Sequence, residues 1–181
     1  MPLPPARHPA ENTEAEPLTE VFLNPGEFHF GGGRTRIRTL LGSCVAISLW
    51  HPQRRIGGLC HFMLPTRAAK AAMTAQDGRY ADGALALFDA AIRHAGCRPD
   101  EFVAKVFGGG NMFPGREAKA GLEVGQRNIE QAEALLKERR IPIVARHLGG
   151  DGHRKLVFDI WSGDAWLAFQ EAPRDLPRTS P

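Results

Sequence analysis

Long apolar runs are missing from this sequence. No window of about 18 consecutive apolar residues occurs, so no membrane-spanning helix is expected. The amino terminus carries no apolar segment behind a basic start, so no secretory signal is expected either. Cysteine is scarce: Cys44, Cys60 and Cys97 are all there is. An odd count without a C-x-x-C pair argues against a disulfide framework and fits a reducing cytoplasm. The same absence counts against zinc, because Cys44, Cys60, His61 and Cys97 lack the spacing of a zinc site. No metal or cofactor is expected. Basic clusters are also missing. The net charge is +3, but the arginines are scattered, so a nucleic-acid partner is not implied.

The phosphate-loop signatures are absent as well. Gly108-Gly109-Gly110 is not followed by Gly-Lys-Ser/Thr and is not G-x-G-x-x-G. A turn at the end of a strand is the simpler reading, and close approach of a peptide substrate to the backbone is the alternative. What is present reads as one domain. Residues 1–17 hold Pro2, Pro4, Pro5, Pro9 and Pro17 and little apolar content, so they read as a disordered extension, and 172–181 as a similar tail. The body, 18–171, is long enough for a substantial core.

Strand-like runs outnumber helical ones in that body. Strands are expected at 20–23, 36–41, 45–50, 56–64, 102–107, 141–148, 155–161 and 165–169. A helix is expected over 79–95, with Leu85, Phe88, Ala91 and Ile92 on one face and Gly96 ending it. A second is expected over 128–140, with Asn128 as its N-cap and Ile129, Ala132, Leu135 and Leu136 facing the core. Gly31-Gly32-Gly33 reads as a loop. Gly149-Gly150-Asp151-Gly152 reads as a hairpin connection flanked by surface loop residues His147 and His153. Ser162-Gly163-Asp164 reads as a tight hairpin turn. The fold class that results is α/β of α+β character, with mixed and antiparallel sheets covered by two main helices.

The chemistry-bearing pair is Cys44 and His61. Val45–Trp50 and Ile56–Leu64 bracket the polar break His51-Pro52-Gln53-Arg54-Arg55, which makes a β-hairpin. A turn centred between Pro52 and Gln53 sets Cys44 directly opposite His61, on the same face. A one-residue shift would place Phe62 there and turn His61 away. A thiol beside an imidazole is the minimum apparatus for thiol nucleophilic catalysis. Gly42 and Ser43 before it leave room for a substrate and offer backbone N–H groups to an oxyanion. On spacing alone the blander alternative is the more economical: a small buried thiol and a satisfied core histidine.

Several motifs in order add a family resemblance. Leu41-Gly42-Ser43-Cys44-Val45-Ala46 with Gly57–Pro65, Arg79-Tyr80-Ala81-Asp82-Gly83-Ala84-Leu85, Ala104–Phe113, Val124-Gly125-Gln126-Arg127-Asn128-Ile129 and Gly152–Phe158 together resemble the chemoreceptor glutamine deamidase family CheD, over about 20–169. The resemblance implies a fold shared with cysteine-dependent toxin deamidases. It implies hydrolysis of selected glutamine side chains on methyl-accepting chemotaxis receptors to glutamate, without a cofactor. It implies Cys44 as nucleophile and His61 as general base and acid, with Gly42, Ser43, Gly108 and Gly109 around the substrate or its oxyanion. The partners implied are receptor cytoplasmic helices and, in some members, a CheC-type phosphatase; the enzyme is expected to be a cytoplasmic monomer. The family also uses a threonine to orient the histidine. Aligned by motif, that position falls on Arg38, while Thr39 stands one residue later and faces the other way. A bulge, a missing third group or a backbone carbonyl would each account for this, and Thr39 is the candidate orienting group. His147 stands where the family pattern has aspartate. A non-catalytic adaptor that binds receptors or the phosphatase is the alternative function.

Overall fold

The computed structural model describes residues 17–66, 77–112 and 118–172. The expected extension and tail at the two ends lie outside the described residues, apart from Pro17 and Ala172.

Among the described residues, nine strands and two helices follow one another in three layers. In chain order they are β1 (Thr19–Leu23), β2 (Phe28–Gly31), β3 (Thr35–Leu41), β4 (Val45–His51), β5 (Ile56–Phe62), α1 (Ala81–His94), β6 (Val103–Gly108), α2 (Ala118–Glu138), β7 (Ile143–Leu148), β8 (Gly152–Asp159) and β9 (Ala165–Glu171). A 3₁₀ turn at Pro99–Glu101 precedes β6. One sheet has the order β1-β3-β8-β9 and the other β2-β5-β4-β6-β7. Each mixes one parallel pair, β1–β3 or β6–β7, with antiparallel ones. Both helices cover one face of the five-stranded sheet, and the four-stranded sheet covers the other. The fold is α+β, with mixed sheets and two helices, as the strand-rich pattern predicts.

The layering follows from side-chain alternation. In β3, Thr35, Ile37, Thr39 and Leu41 are buried, while Arg36, Arg38 and Leu40 face outward. β4 and β5 lie in the middle layer and are apolar on both faces, so nearly every residue in them is buried. Val45, Ile47, Cys60 and Phe62 join the core under the helices, whereas Ala46 and Leu59 join the core between the sheets. On α1, Ala84, Leu85, Phe88 and Ile92 form the buried stripe, and Phe28 meets Phe88 edge-on at 4.8 Å.

Five expectations need correction. Phe28–Gly31 is a strand paired with β5, which no expectation named, so Gly31 ends a strand where Gly31-Gly32-Gly33 was expected as a loop. The second helix extends ten residues further toward the amino end than 128–140, so Asn128 sits fully buried mid-helix and is not an N-cap. The segment Gly149–Asp151 joins strands of different sheets and is therefore a crossover, not a hairpin connection. His147 and His153 lie in β7 and β8, not in loops. The turn between β8 and β9 runs from Ile160 to Asp164, longer than a tight turn.

The register of the β4–β5 hairpin also differs. His61 pairs with Ala46, and the last ladder pair is Val45 with Phe62. The turn is the four-residue segment Pro52–Arg55, with Arg55 at φ 51°. This shift is two residues from the expected register, so faces are preserved. Cys44 is not opposite His61. It stands one step beyond the last rung and packs, like Ala46, on the core between the sheets.

Candidate active site

Three chain segments meet where β3, β4 and β5 end. Leu41 leads out of β3 into the bend Gly42-Ser43-Cys44, which returns as β4. On one side of this bend lies the turn after β6: Gly109 N–H donates to the Cys44 carbonyl at 2.8 Å and Gly110 N–H to the Gly42 carbonyl at 2.8 Å. Glycine is required at Gly108, where φ is 116° and a Cβ would lie 2.1 Å from the Cys44 carbonyl oxygen. The triple glycine is thus a turn packed against the cysteine's own backbone. The Gly109 N–H, a sequence candidate for the oxyanion, is already engaged by Cys44. On the other side, the Asn128 side-chain amide donates to the carbonyls of Ser43 (3.2 Å) and Met63 (2.8 Å).

His61 is held by backbone and side chain alike. Its N–H donates to the Glu27 carbonyl, and its carbonyl accepts from Gly26 N–H. Its Nδ1 lies 2.8 Å from Thr39 Oγ1, and Thr39 Oγ1 lies 2.8 Å from the Leu23 carbonyl. Hydrogen counting fixes the tautomer. The carbonyl can only accept, so the single hydroxyl hydrogen goes to Leu23, and Nδ1–H must donate to Oγ1. The Nε2 lone pair is then free, and Nε2 is buried with no hydrogen-bond partner among the described residues. Thr39 needs no bulge to arrive there. Inward positions of β3 fall on odd residue numbers, so Thr39 reaches His61 across the sheet interface while Arg38 faces solvent and pairs with Glu20 at 2.7 Å.

Burial sets the electrostatics. It holds the His61 imidazole down at about 4, against an upward pull from the Leu23 carbonyl and the charge of Glu27. It also pushes the half-buried Cys44 thiol above its ordinary range, partly offset by that residue's own N–H. At neutral pH the resting pair is therefore thiol and neutral imidazole. Cys60 faces the opposite core and its thiol is pushed up to about 12, so it is chemically quiet.

The other polar groups support the site from below. Arg154 is fully buried on β8; its guanidinium donates to His147 Nδ1 at 2.9 Å and to the Gly149 carbonyl, and stacks on Phe169 at 4.7 Å. A separate trio, His51, Cys97 and Glu101, brings ligand-type atoms within 4.8 Å of one another at the far end of β4. Each is engaged: Arg54 donates to Cys97 Sγ at 2.7 Å and to His51 Nδ1 at 3.3 Å, and Glu101 accepts the Arg98 N–H at 2.6 Å. The thiol set considered for zinc from sequence is not brought together, since Cys97 lies with His51.

Two neighbours of the site escaped the sequence reading. Asn128 carried a signal, an asparagine four residues before Ala132 on the apolar stripe of a helix. Met112, whose thioether lies over Gly42 where a Cβ would meet Sδ at 2.6 Å, carried none.

A family model described as CheD chemotactic sensory transduction matches residues 63–169, beginning just past the hairpin that carries Cys44 and His61. Whole-chain relatives reach across the hairpin. A protein named probable chemoreceptor glutamine deamidase CheD 3 from Dechloromonas aromatica (strain RCB) is 53% identical over 154 residues, 85% of this chain and 89% of its own. One named probable chemoreceptor glutamine deamidase CheD from Pseudomonas savastanoi pv. phaseolicola is 46% identical over 157 residues, 84% and 86% of the two chains. A more distant one, from Leptospira interrogans, is 35% identical over 160 residues, 85% and 95%. Matches of this extent, over both sheets and both helices, place the chain in the CheD family.

Proposed function

We propose that this protein is a chemoreceptor glutamine deamidase in which Cys44 is the nucleophile, His61 the general base and acid, and Thr39 the group that orients His61. The observation that carries the reading is the Thr39 hydroxyl between the Leu23 carbonyl and His61 Nδ1, which leaves Nε2 free to take a proton. A buried histidine with one nitrogen tied and the other unpartnered is poorly explained by packing alone.

The steps run as follows. Cys44 Sγ attacks the carbon of a glutamine carboxamide while its proton passes to His61 Nε2, giving a tetrahedral oxyanion and imidazolium. Backbone N–H groups of the Gly42–Cys44 bend are the donors assigned to that oxygen in this reading. The imidazolium returns the proton to the departing nitrogen, the C–N bond breaks, and ammonia leaves a thioester. Water then loses a proton to Nε2 and attacks the thioester; the C–S bond breaks, the sulfur is reprotonated, and glutamate remains. Because the resting pair is neutral, the base acts during attack instead of holding a preformed thiolate. The reading carries with it receptor cytoplasmic helices as substrate, a cytoplasmic site of action and a CheC-type phosphatase as a second partner.

The test is a receptor cytoplasmic fragment incubated with wild-type protein, Cys44→Ala and His61→Ala, with ammonia release and glutamine-to-glutamate conversion followed by mass spectrometry. Conversion by wild type alone is expected. Equal conversion by Cys44→Ala would refute the mechanism and leave an adaptor role.

A further inference from the structure

The motif Val124-Gly125-Gln126-Arg127-Asn128-Ile129 has no part in the chemistry above, yet it lies directly behind it. Gly125 packs on the turn after β6, where a Cβ would sit 2.7 Å from the Gly109 carbonyl oxygen, and Ile129 closes on Gly109 from the same side. Asn128, fully buried between them, sends both amide hydrogens to the carbonyls of Ser43 and Met63. These are the residues just before Cys44 and two after His61.

Their position in the ladder explains why a link is needed there. The β4–β5 rungs stop at Val45–Phe62. One step further, Cys44 enters the bend, and Met63 N–H turns away to the Arg79 carbonyl. The backbones that carry the thiol and the imidazole thus separate at the point where their relative placement matters. We infer that Asn128 acts as a side-chain rung replacing the missing one, and is a positioning residue that fixes the Cys44 bend against the strand of His61. This inference rests on the deamidase reading for its consequence, but not for its geometry.

The amide is an unlikely choice for packing alone. Its Oδ1 is buried without a partner among the described residues, a state that destabilises a fold, and a leucine of similar size would fill the space without it. An amide NH2 supplies two hydrogens without burying a charge, so it can satisfy two carbonyls at once. The orientation is set by those carbonyls, since a flipped amide would aim Oδ1 at both.

The experiment compares wild type with Asn128→Leu, which keeps the volume and removes both donors, and Asn128→Asp, which keeps the shape and turns a donor into an acceptor. Hydrogen exchange measured by mass spectrometry reads the backbone around 42–46 and 62–64 without reference to turnover. Loss of the two bonds is expected to speed exchange there about tenfold or more, with α1 and β8 unchanged. Turnover of a receptor fragment is expected to fall about 100-fold in kcat with KM little altered, because substrate docking is intact and only the pair is misplaced. If Asn128→Leu does not fold, Asn128→Asp carries the same test with a larger effect. Exchange in these segments that matches wild type would overturn the inference whatever the activity, and so would a wild-type kcat in folded Asn128→Leu. A wild type without turnover, with exchange shifted as described, would sink the deamidase reading and leave the rung standing.

Discussion

Replacing Thr39 by valine removes one hydroxyl and nearly nothing else, and its consequences can be worked from the structure. Thr39 is 1% exposed and His61 is 1% exposed, so water cannot reach the groups left behind. The Leu23 carbonyl loses its donor and His61 Nδ1–H its acceptor. A buried polar group without a partner costs about 1–3 kcal/mol, and the two groups can partly relieve each other, because Leu23 already interacts with His61. A loss of about 2–3 kcal/mol of stability follows. The catalytic loss is separate. Without an acceptor at Nδ1 the imidazole has no reason to keep its proton there, and a single hydrogen bond worth about 1.4 kcal/mol shifts the tautomer ratio about tenfold. Rotation of the freed ring adds misalignment, so kcat/KM should fall about 100-fold. Thr39→Ser keeps the hydroxyl, loses a methyl worth about 1 kcal/mol, and should recover most activity. The assay is receptor-fragment deamidation with thermal melting of each variant as control. Activity of folded Thr39→Val within about twofold of wild type would refute the reasoning, as would Thr39→Ser behaving no better than valine.

Four further outcomes follow from the same geometry. With His61 held at about 4, its free base persists well below neutrality, so the acid limb of kcat/KM should fall near pH 4 and not near the ordinary histidine value. The stability sign is the same: unfolded chains bind the proton below about 6.5 and the folded state only below about 4, so stability drops as pH falls through that window, by about 3 kcal/mol in total. His61→Asn should flatten this part of a denaturation-versus-pH curve. Burial raises the Cys44 thiol, so iodoacetamide labelling of Cys44 should climb steadily with pH through the ordinary thiol range; a plateau at neutral pH would show a preformed thiolate and contradict the neutral resting pair. Gly108→Ala forces a Cβ to within 2.1 Å of the Cys44 carbonyl at φ 116°, and should destabilise by more than about 2 kcal/mol and reduce turnover about 100-fold; a wild-type melt would contradict the packing.

Alternation made much of the framework readable. The inward residues of β3 and the apolar middle strands β4 and β5 follow from it directly, and so does the fact that Thr39 and Arg38 face opposite ways. It could not say which of them faces in, because that depends on the other sheet. Thr39 belongs to the four-stranded sheet and His61 to the five-stranded one, so their contact is made by stacking and has no sequence spacing. The hairpin register went wrong by two because the turn spans four residues with Arg55 in the left-handed region, a conformation its side chain does not announce. The period of two protected the conclusion that mattered, the shared face. β2 was passed over because only the three residues Phe28–Phe30 precede the glycine run Gly31–Gly33, too short a stretch to show alternation; its pairing with β5 is what makes it a strand. Asn128 misled because asparagine is a strong cap signal, and only tertiary contact reveals that its amide serves two carbonyls outside its own helix.

The central claim is that Cys44 carries the acyl group of a receptor glutamine. Acid-quenching the reaction of wild-type protein with a receptor glutamine peptide, followed by intact mass and peptide mapping, reads that claim directly. The account predicts a hydroxylamine-sensitive adduct of enzyme plus peptide less ammonia, mapped to Cys44, that forms far more slowly in His61→Ala. Steady deamidation with no adduct on Cys44, and with Cys44→Ala equally active, would contradict it.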